Sequence, residues 1–91
     1  DGCTRVALDA TGAVHSSSDA FAAALEKLLA RGKPVAFLIG GATGHAARAK
    51  TQSDALWSLS KLTLAHRLAV LVLCEQIYRA AEIARGGPYH K

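Results

Sequence analysis

The five residues Val35-Ala36-Phe37-Leu38-Ile39 are apolar without a break, and Gly40-Gly41-Ala42-Thr43-Gly44 follow at once. A strand with one wet face alternates apolar and polar side chains. An unalternating run is better explained by a strand covered on both faces, as in a parallel sheet flanked by helices. The glycines end it sharply, either as a tight turn alone or as a place where a ligand can approach bare backbone.

The rest of the chain can be read around that strand. Val6-Ala7-Leu8-Asp9 is a second short apolar run, expected to end in a turn at Thr11-Gly12. Ser17, Ser18 or Asp19 can accept from the free amides of a helix start, and Phe21, Leu25, Leu28 and Leu29 then recur at helical spacing. Lys27 and Arg31 suit the negative end of that helix, which Gly32 and Pro34 close. A short polar helix is expected from His45 to about Ala55, and a short strand plus a loop from Trp57 to Leu64. In the last segment Val70, Leu73, Cys74, Ile77, Tyr78 and Ala81 form one helical stripe, with Leu68, Leu71 and Val72 making its first half apolar on other sides too. That half is expected to be buried, some of it at a subunit contact. Glu75 and Arg79 are spaced to pair along the helix, and Gly86-Gly87-Pro88 ends it, leaving Tyr89-His90-Lys91 as a free tail. Strand, helix, strand, helix, strand, helix in this order predicts an α/β fold: one domain with a small, mainly parallel sheet and flanking helices.

With 91 residues the core is small, yet 51% of them are hydrophobic, which points to apolar surface buried against a second copy, a homodimer. The balance of 11 Lys and Arg against 7 Asp and Glu is compatible with attraction to a phosphate backbone but is a weak signal alone. Cys3 and Cys74 lie in unlike settings and have neither the number nor the spacing for a metal shell, so neither a disulfide nor a metal is expected. The run from Leu68 to Cys74 is too short to span a bilayer and no leader opens the chain, which makes the cytoplasm the expected location.

Three stretches, in this order and spacing, carry a resemblance. Leu38-Ile39-Gly40-Gly41-Ala42-Thr43-Gly44, then Ser58-Leu59-Ser60-Lys61-Leu62-Thr63-Leu64-Ala65-His66, then Glu75-Gln76-Ile77-Tyr78-Arg79-Ala80 with Gly87-Pro88-Tyr89-His90-Lys91, closely resemble the RlmH family. These are SPOUT-class methyltransferases of pseudouridine N3 in large-subunit ribosomal RNA. Val6 to Gly12 resembles the family's central strand as well, so the likeness covers nearly the whole chain and corresponds to the C-terminal part of a family member. Ala65 and Arg67 stand where many relatives carry prolines, which suggests a less rigid loop around His66. The resemblance implies a trefoil knot near the C-terminus, S-adenosylmethionine bent among the knot's loops, and two protomers packed through their C-terminal helices, with one tail reaching the other's cofactor.

Carried over residue by residue, it implies that Leu8 packs on the adenosine and that Gly40 and Gly41 admit it. Leu59, Ser60, Lys61, Leu62, Thr63 and Leu64 would wrap the adenine. The proton on pseudouridine N3 must leave as the methyl arrives, and histidine is the side chain whose ordinary pKa lies nearest neutrality. His90 is therefore the candidate base. Tyr89 would stack on or hydrogen-bond to the substrate base, and Lys91 would hold a phosphate. Arg79 holds RNA, fixes the tail, or simply pairs with Glu75. His15 and His45 are expected to face solvent, and Trp57 to anchor the core or an interface.

The expected partners are a second copy of the chain and ribosomal RNA or the ribosome. Two competing readings remain: a knotted dimeric scaffold without catalysis, and a general basic RNA-binding module indifferent to the cofactor.

Overall fold

The computed structural model describes residues 2–39 and 52–90. Strand β1 is Thr4–Val14, helix α1 Ser18–Leu29, strand β2 Val35–Ile39, strand β3 Ala55–Ser58 and helix α2 His66–Ala84. The strands form one parallel sheet in the order β2-β1-β3. This is the α/β fold expected. The helix foreseen from His45 onward and the glycines Gly40, Gly41 and Gly44 lie outside the described residues, and by Ala55 the chain is already in β3.

β1 is the middle strand, paired with β2 from Thr4↔Val35 to Leu8↔Ile39 and with β3 from Val6↔Ala55 to Leu8↔Trp57. Both ladders start on tied backbone: Thr4 N–H donates to Pro34 O (2.8 Å), and Arg5 N–H donates to Asp54 Oδ2 (2.8 Å). Val6, Ala7 and Leu8 are all buried, as a central strand covered on both faces requires. β2 is only half-buried along its length, because within the described chain it is an edge strand.

The turn expected at Thr11-Gly12 is not one. The chain stays extended to Val14, and what occurs there is a break in the ladder: pairing with β3 shifts register between Leu8 and Ala13. Asp9 Oδ2 accepts from Thr11 N–H (2.9 Å) and from its hydroxyl (2.5 Å), a local bond that competes with the ladder. Gly12 fits the irregularity because nothing larger does: a Cβ there would sit 2.7 Å from Trp57 C and 2.8 Å from Leu56 C and O.

α1 begins at Ser17, whose Oγ accepts from Ala20 N–H (3.1 Å), and runs into a left-handed Gly32 (φ 81°). Phe21, Leu25 and Leu28 turn inward with Ala22, while Leu29 is exposed. They form a single core with Val6, Leu8, Trp57, Leu73 and Ala80. Trp57 is thus a core anchor, with Phe21 edge-on to it at 5.6 Å.

Two readings need correction. His15 does not face solvent: it is half-buried edge-on to Trp57 (4.5 Å between centroids) and Phe21 (5.6 Å), because β1 carries the chain back over the core before α1. In α2 the inward face runs through Leu73, Ile77 and Ala80, whereas Val70, Cys74, Tyr78 and Ala81 of the expected stripe are exposed with Leu68 and Leu71. The first half of α2 is apolar all round, so periodicity could not choose which side meets the core. Cys3 and Cys74 are not joined in a disulfide, and among the described residues no helix is long and apolar enough to cross a membrane.

Candidate functional site

A cleft of about 420 Å³ opens where the β1–β2 ladder ends, beside the carboxyl ends of β2 and β3, lined by Leu8, Asp9, Ile39, Ser58, the loop that follows and the first turn of α2 as far as Ala69. The topology explains the place. In the sheet β2 lies on one side of β1 and β3 on the other. A crevice opens outside a parallel sheet where the strand order reverses in this way.

The loop from Leu59 to Ala65 forms the outer wall and braces itself. Ser58 Oγ donates to Ser60 O (2.6 Å) and accepts from Ser60 N–H (3.2 Å), and Ser60 Oγ accepts from Leu62 N–H (2.9 Å). With these hydroxyls spent locally, the wall offers mostly backbone groups and apolar side chains. Leu62, 74% exposed, lines the cleft with its apolar side chain. Of the residues expected to hold a ligand, Leu8, Leu59, Ser60, Leu62, Thr63 and Leu64 line the cleft. Lys61 is exposed and is not among the lining residues. Gly40 and Gly41 lie outside the described residues.

His66, which by resemblance stands beside the cofactor loop, lines the cleft too, and so do Asp9, Ala10, Ile39, Ala65 and Ala69, which were not named as ligand residues from sequence. The signal for two of them was available, since Asp9 and Ile39 close the apolar runs of β1 and β2, where a parallel sheet opens its crevice. Among the described residues no group of three or more His, Cys, Asp or Glu could hold a metal ion.

The tail is not free. Tyr89 hydroxyl donates to Glu75 Oε2 (2.8 Å), and the same oxygen receives Arg79 Nη2 (2.7 Å) and Nε (3.0 Å). The Arg79 guanidinium lies 4.7 Å from the centre of the Tyr89 ring, Tyr78 meets that ring edge-on at 4.8 Å, and His90 is bonded to Arg79 (3.0 Å). Arg79 first, and then Tyr89, hold the Glu75 carboxyl below its ordinary range. Glu75 in return raises the Tyr89 phenol. Gly87 closes the turn into the tail by donating to Glu82 O (2.8 Å), over a buried Glu82 carboxylate paired with Arg85 (2.5 Å). The Glu75–Arg79 pair read from spacing is therefore present and also fixes the tail. Lys91 lies outside the described residues.

Cleft and tail are separate within one chain. Ala69, the cleft residue farthest along α2, precedes Glu75 by six positions, about 9 Å of helix axis at ~1.5 Å per residue. Tyr89 and His90 are grouped with Arg79, away from Leu8 and Leu59–Leu64.

Comparison with known proteins agrees with this geometry. Residues 1–90 match the family described as predicted SPOUT methyltransferase. The ribosomal RNA large subunit methyltransferase H of Thermus thermophilus is 44% identical over 92 residues, covering 100% of this chain and 64% of that protein. Its namesake in Sorangium cellulosum is 49% identical over 89 residues, 97% of this chain and 61% of that protein. That of Anaeromyxobacter sp. is 51% identical over 75 residues, 82% of this chain and 49% of that protein. The chain thus spans at most about two thirds of the length of these relatives. A parallel sheet with a cleft at its carboxyl edge, matched over all but one residue by the family model, makes this chain a member of the SPOUT methyltransferase family.

Proposed function

We propose that this chain is the donor-binding and catalytic part of an S-adenosylmethionine-dependent methyltransferase acting on N3 of a pseudouridine in large-subunit ribosomal RNA. The observation that carries the reading is the cleft at the edge of the sheet, lined by apolar Leu8, Ile39, Leu62 and Leu64 and by the rest of the loop after Ser58. Its volume of about 420 Å³ lies within the ~300–1,000 Å³ usual for small-molecule sites. A nucleoside fits such a lining: its base is flat and apolar on its faces, with edges that pair with backbone amides and carbonyls. The relatives' name supplies the substrate class, a large-subunit ribosomal RNA, and the resemblance in the tail supplies the pseudouridine. Ribosomes place the reaction in the cytoplasm.

When bound, S-adenosylmethionine supplies a methyl group activated by a positive sulfur, which N3 takes as it gives up its proton. Leu8 and the Leu59–Leu64 wall orient the adenosine and exclude water. His90 accepts the N3 proton, Tyr89 holds the substrate base, and Arg79 and Lys91 meet the RNA backbone. Because Tyr89 and His90 stand away from the cleft of their own chain, we assign them to the cleft of a second copy. The exposed apolar side of α2, with Leu71 65% and Tyr78 54% exposed, is the surface on which a homodimer would form. The threaded, knotted path of the family belongs to the same reading.

The test is methyl transfer to a pseudouridine-bearing RNA stem-loop, with the same stem-loop carrying uridine as control. Transfer to the first alone, lost in His90→Ala without loss of folding, is the expected result. Donor binding without transfer to either RNA identifies the non-catalytic scaffold instead, and indifference to the donor with salt-sensitive RNA binding identifies a basic RNA-binding module.

A further inference from the structure

The docked tail determines which ring nitrogen of His90 carries the proton. Arg79 Nη1 lies 3.0 Å from His90 Nδ1, and a guanidinium can only donate, so Nδ1 presents its lone pair. A neutral imidazole with an accepting Nδ1 has its proton on Nε2. That atom lies 3.3 Å from Asp19 Oδ2, a carboxylate that can only accept. An imidazolium matches less well, since its Nδ1–H would face another donor.

The frame around the ring is fixed by other contacts. Glu75 aims the guanidinium with two bonds to one oxygen (2.7 and 3.0 Å), and the Tyr89 hydroxyl on that oxygen (2.8 Å) sets where the tail leaves α2. Asp19 sits in the first turn of α1, which Ser18 ties to α2 by donating to Gln76 Oε1 (2.7 Å). Arg79 and Asp19 therefore come from two helices bonded to each other, and His90 bridges them.

We propose that Arg79 and Asp19 are positioning residues that park His90 on its own protomer as the Nε2–H tautomer. With one nitrogen protonated and the other's lone pair engaged, the parked ring cannot accept a substrate proton. The tail must leave both partners before His90 can act as a base. Only this last step rests on the proposed function; the parked geometry stands on the donor and acceptor chemistry of Arg79, His90 and Asp19. Release is feasible, because the Asp19 end is exposed and its bond is the longest in the chain of contacts.

The experiment is histidine side-chain 15N NMR on the full chain, above the pH range in which imidazole titrates. In the wild type, one Nε2 proton assigned to His90 is expected to exchange slowly enough to be detected, with Nδ1 showing the shift of a hydrogen-bonded acceptor. Asp19→Ala removes the slow exchange, and Arg79→Met moves Nδ1 toward the shift of an unbonded nitrogen, both with the amides of β1 and β3 unmoved. A wild-type His90 whose ring proton exchanges at the rate of free imidazole, or sits on Nδ1, overturns the proposal. So does a spectrum that both variants leave unchanged. Should a variant fail to fold, the wild-type spectrum decides alone.

In the methyl-transfer assay, Asp19→Ala is expected to raise kcat severalfold with the KM for the donor unchanged, and a lowered kcat contradicts parking. A chain that does not bind the donor but shows the protected Nε2 proton refutes the functional reading alone. A donor-binding chain with a freely exchanging His90 refutes parking alone.

Discussion

Replacing Gly12 with alanine puts one methyl group where β1 and β3 come closest. The added carbon would lie 2.7 Å from Trp57 C and 2.8 Å from Leu56 C and O. Carbon atoms rest at about 3.5–4.0 Å, so the overlap is roughly 0.8 Å. All three atoms are backbone, so no rotamer change relieves the clash, and β3 has no other strand beside it among the described residues. The strands must part. Overpacking costs typically about 1–3 kcal/mol, and the rigidity of the obstacle argues for the upper half of that range. The reduced freedom of the unfolded chain returns about 0.4–1 kcal/mol, leaving a net loss of about 1–2.5 kcal/mol. At about 4–8 °C per kcal/mol for a domain of this size, Tm should fall by about 5–20 °C. Thermal melts followed by circular dichroism measure it, with Gly2→Ala, whose added carbon meets nothing within 4 Å, as the control. If Gly12→Ala melts with the wild type, the close approach of the two strands and the ladder break built on it are wrong.

Burial lowers the pKa of His15, whose Nε2 is enclosed without a partner. The folded state therefore favours the neutral ring, and stability present above the ordinary imidazole pKa should be lost as pH falls through the lower, folded value. Urea melts of the wild type and His15→Phe across that range should diverge on the acid side, and parallel curves contradict the assignment. Tail docking should have two limits. Glu75, with its pKa depressed by Arg79 and Tyr89, sustains docking above the ordinary carboxylate range and releases it as pH falls through the folded value. Tyr89, with its pKa raised, sustains docking below the ordinary phenol pKa and releases it as pH rises through the folded value. The Tyr89–Glu75 contact, followed by the Tyr89 ring resonances, should persist between those limits and be lost beyond each; its loss between them would count against this network. Leu71→Asp should abolish self-association seen by sedimentation and leave the stability of the dilute chain within about 0.5 kcal/mol of wild type, as expected for an exposed position. Unchanged association removes this face of α2 from the proposed dimer.

What could be read from residues follows the range of the forces involved. Val35–Ile39 carries its strand character in an unbroken apolar run, although β2 is only half-buried as an edge strand among the described residues, and Phe21, Leu25 and Leu28 repeat at the helical period, so the α/β order was legible. Glu75 and Arg79 were legible too, because helix geometry alone brings them together. The bonds from Tyr89 to Glu75 and from His90 to Asp19 span 14 and 71 positions and leave no periodic trace, so the tail read as free. His15 read as exposed because its neighbours are polar, but β1 runs on to Val14 and returns it to Trp57. For the cleft, the resemblance pointed to Leu8 and Leu59–Leu64 and the ends of the apolar runs to Asp9 and Ile39, while Ala69 emerges only once the start of α2 is placed beside them.

The most direct test of the account is a titration of the 15N-labelled chain with S-adenosylmethionine, followed amide by amide. Saturable shifts are predicted at Leu8 to Ala10, Ile39, Ser58 to Ser60, Leu62 to His66 and Ala69, the residues of the cleft. An unmoved spectrum at saturating donor, or shifts confined to other surfaces, would contradict it.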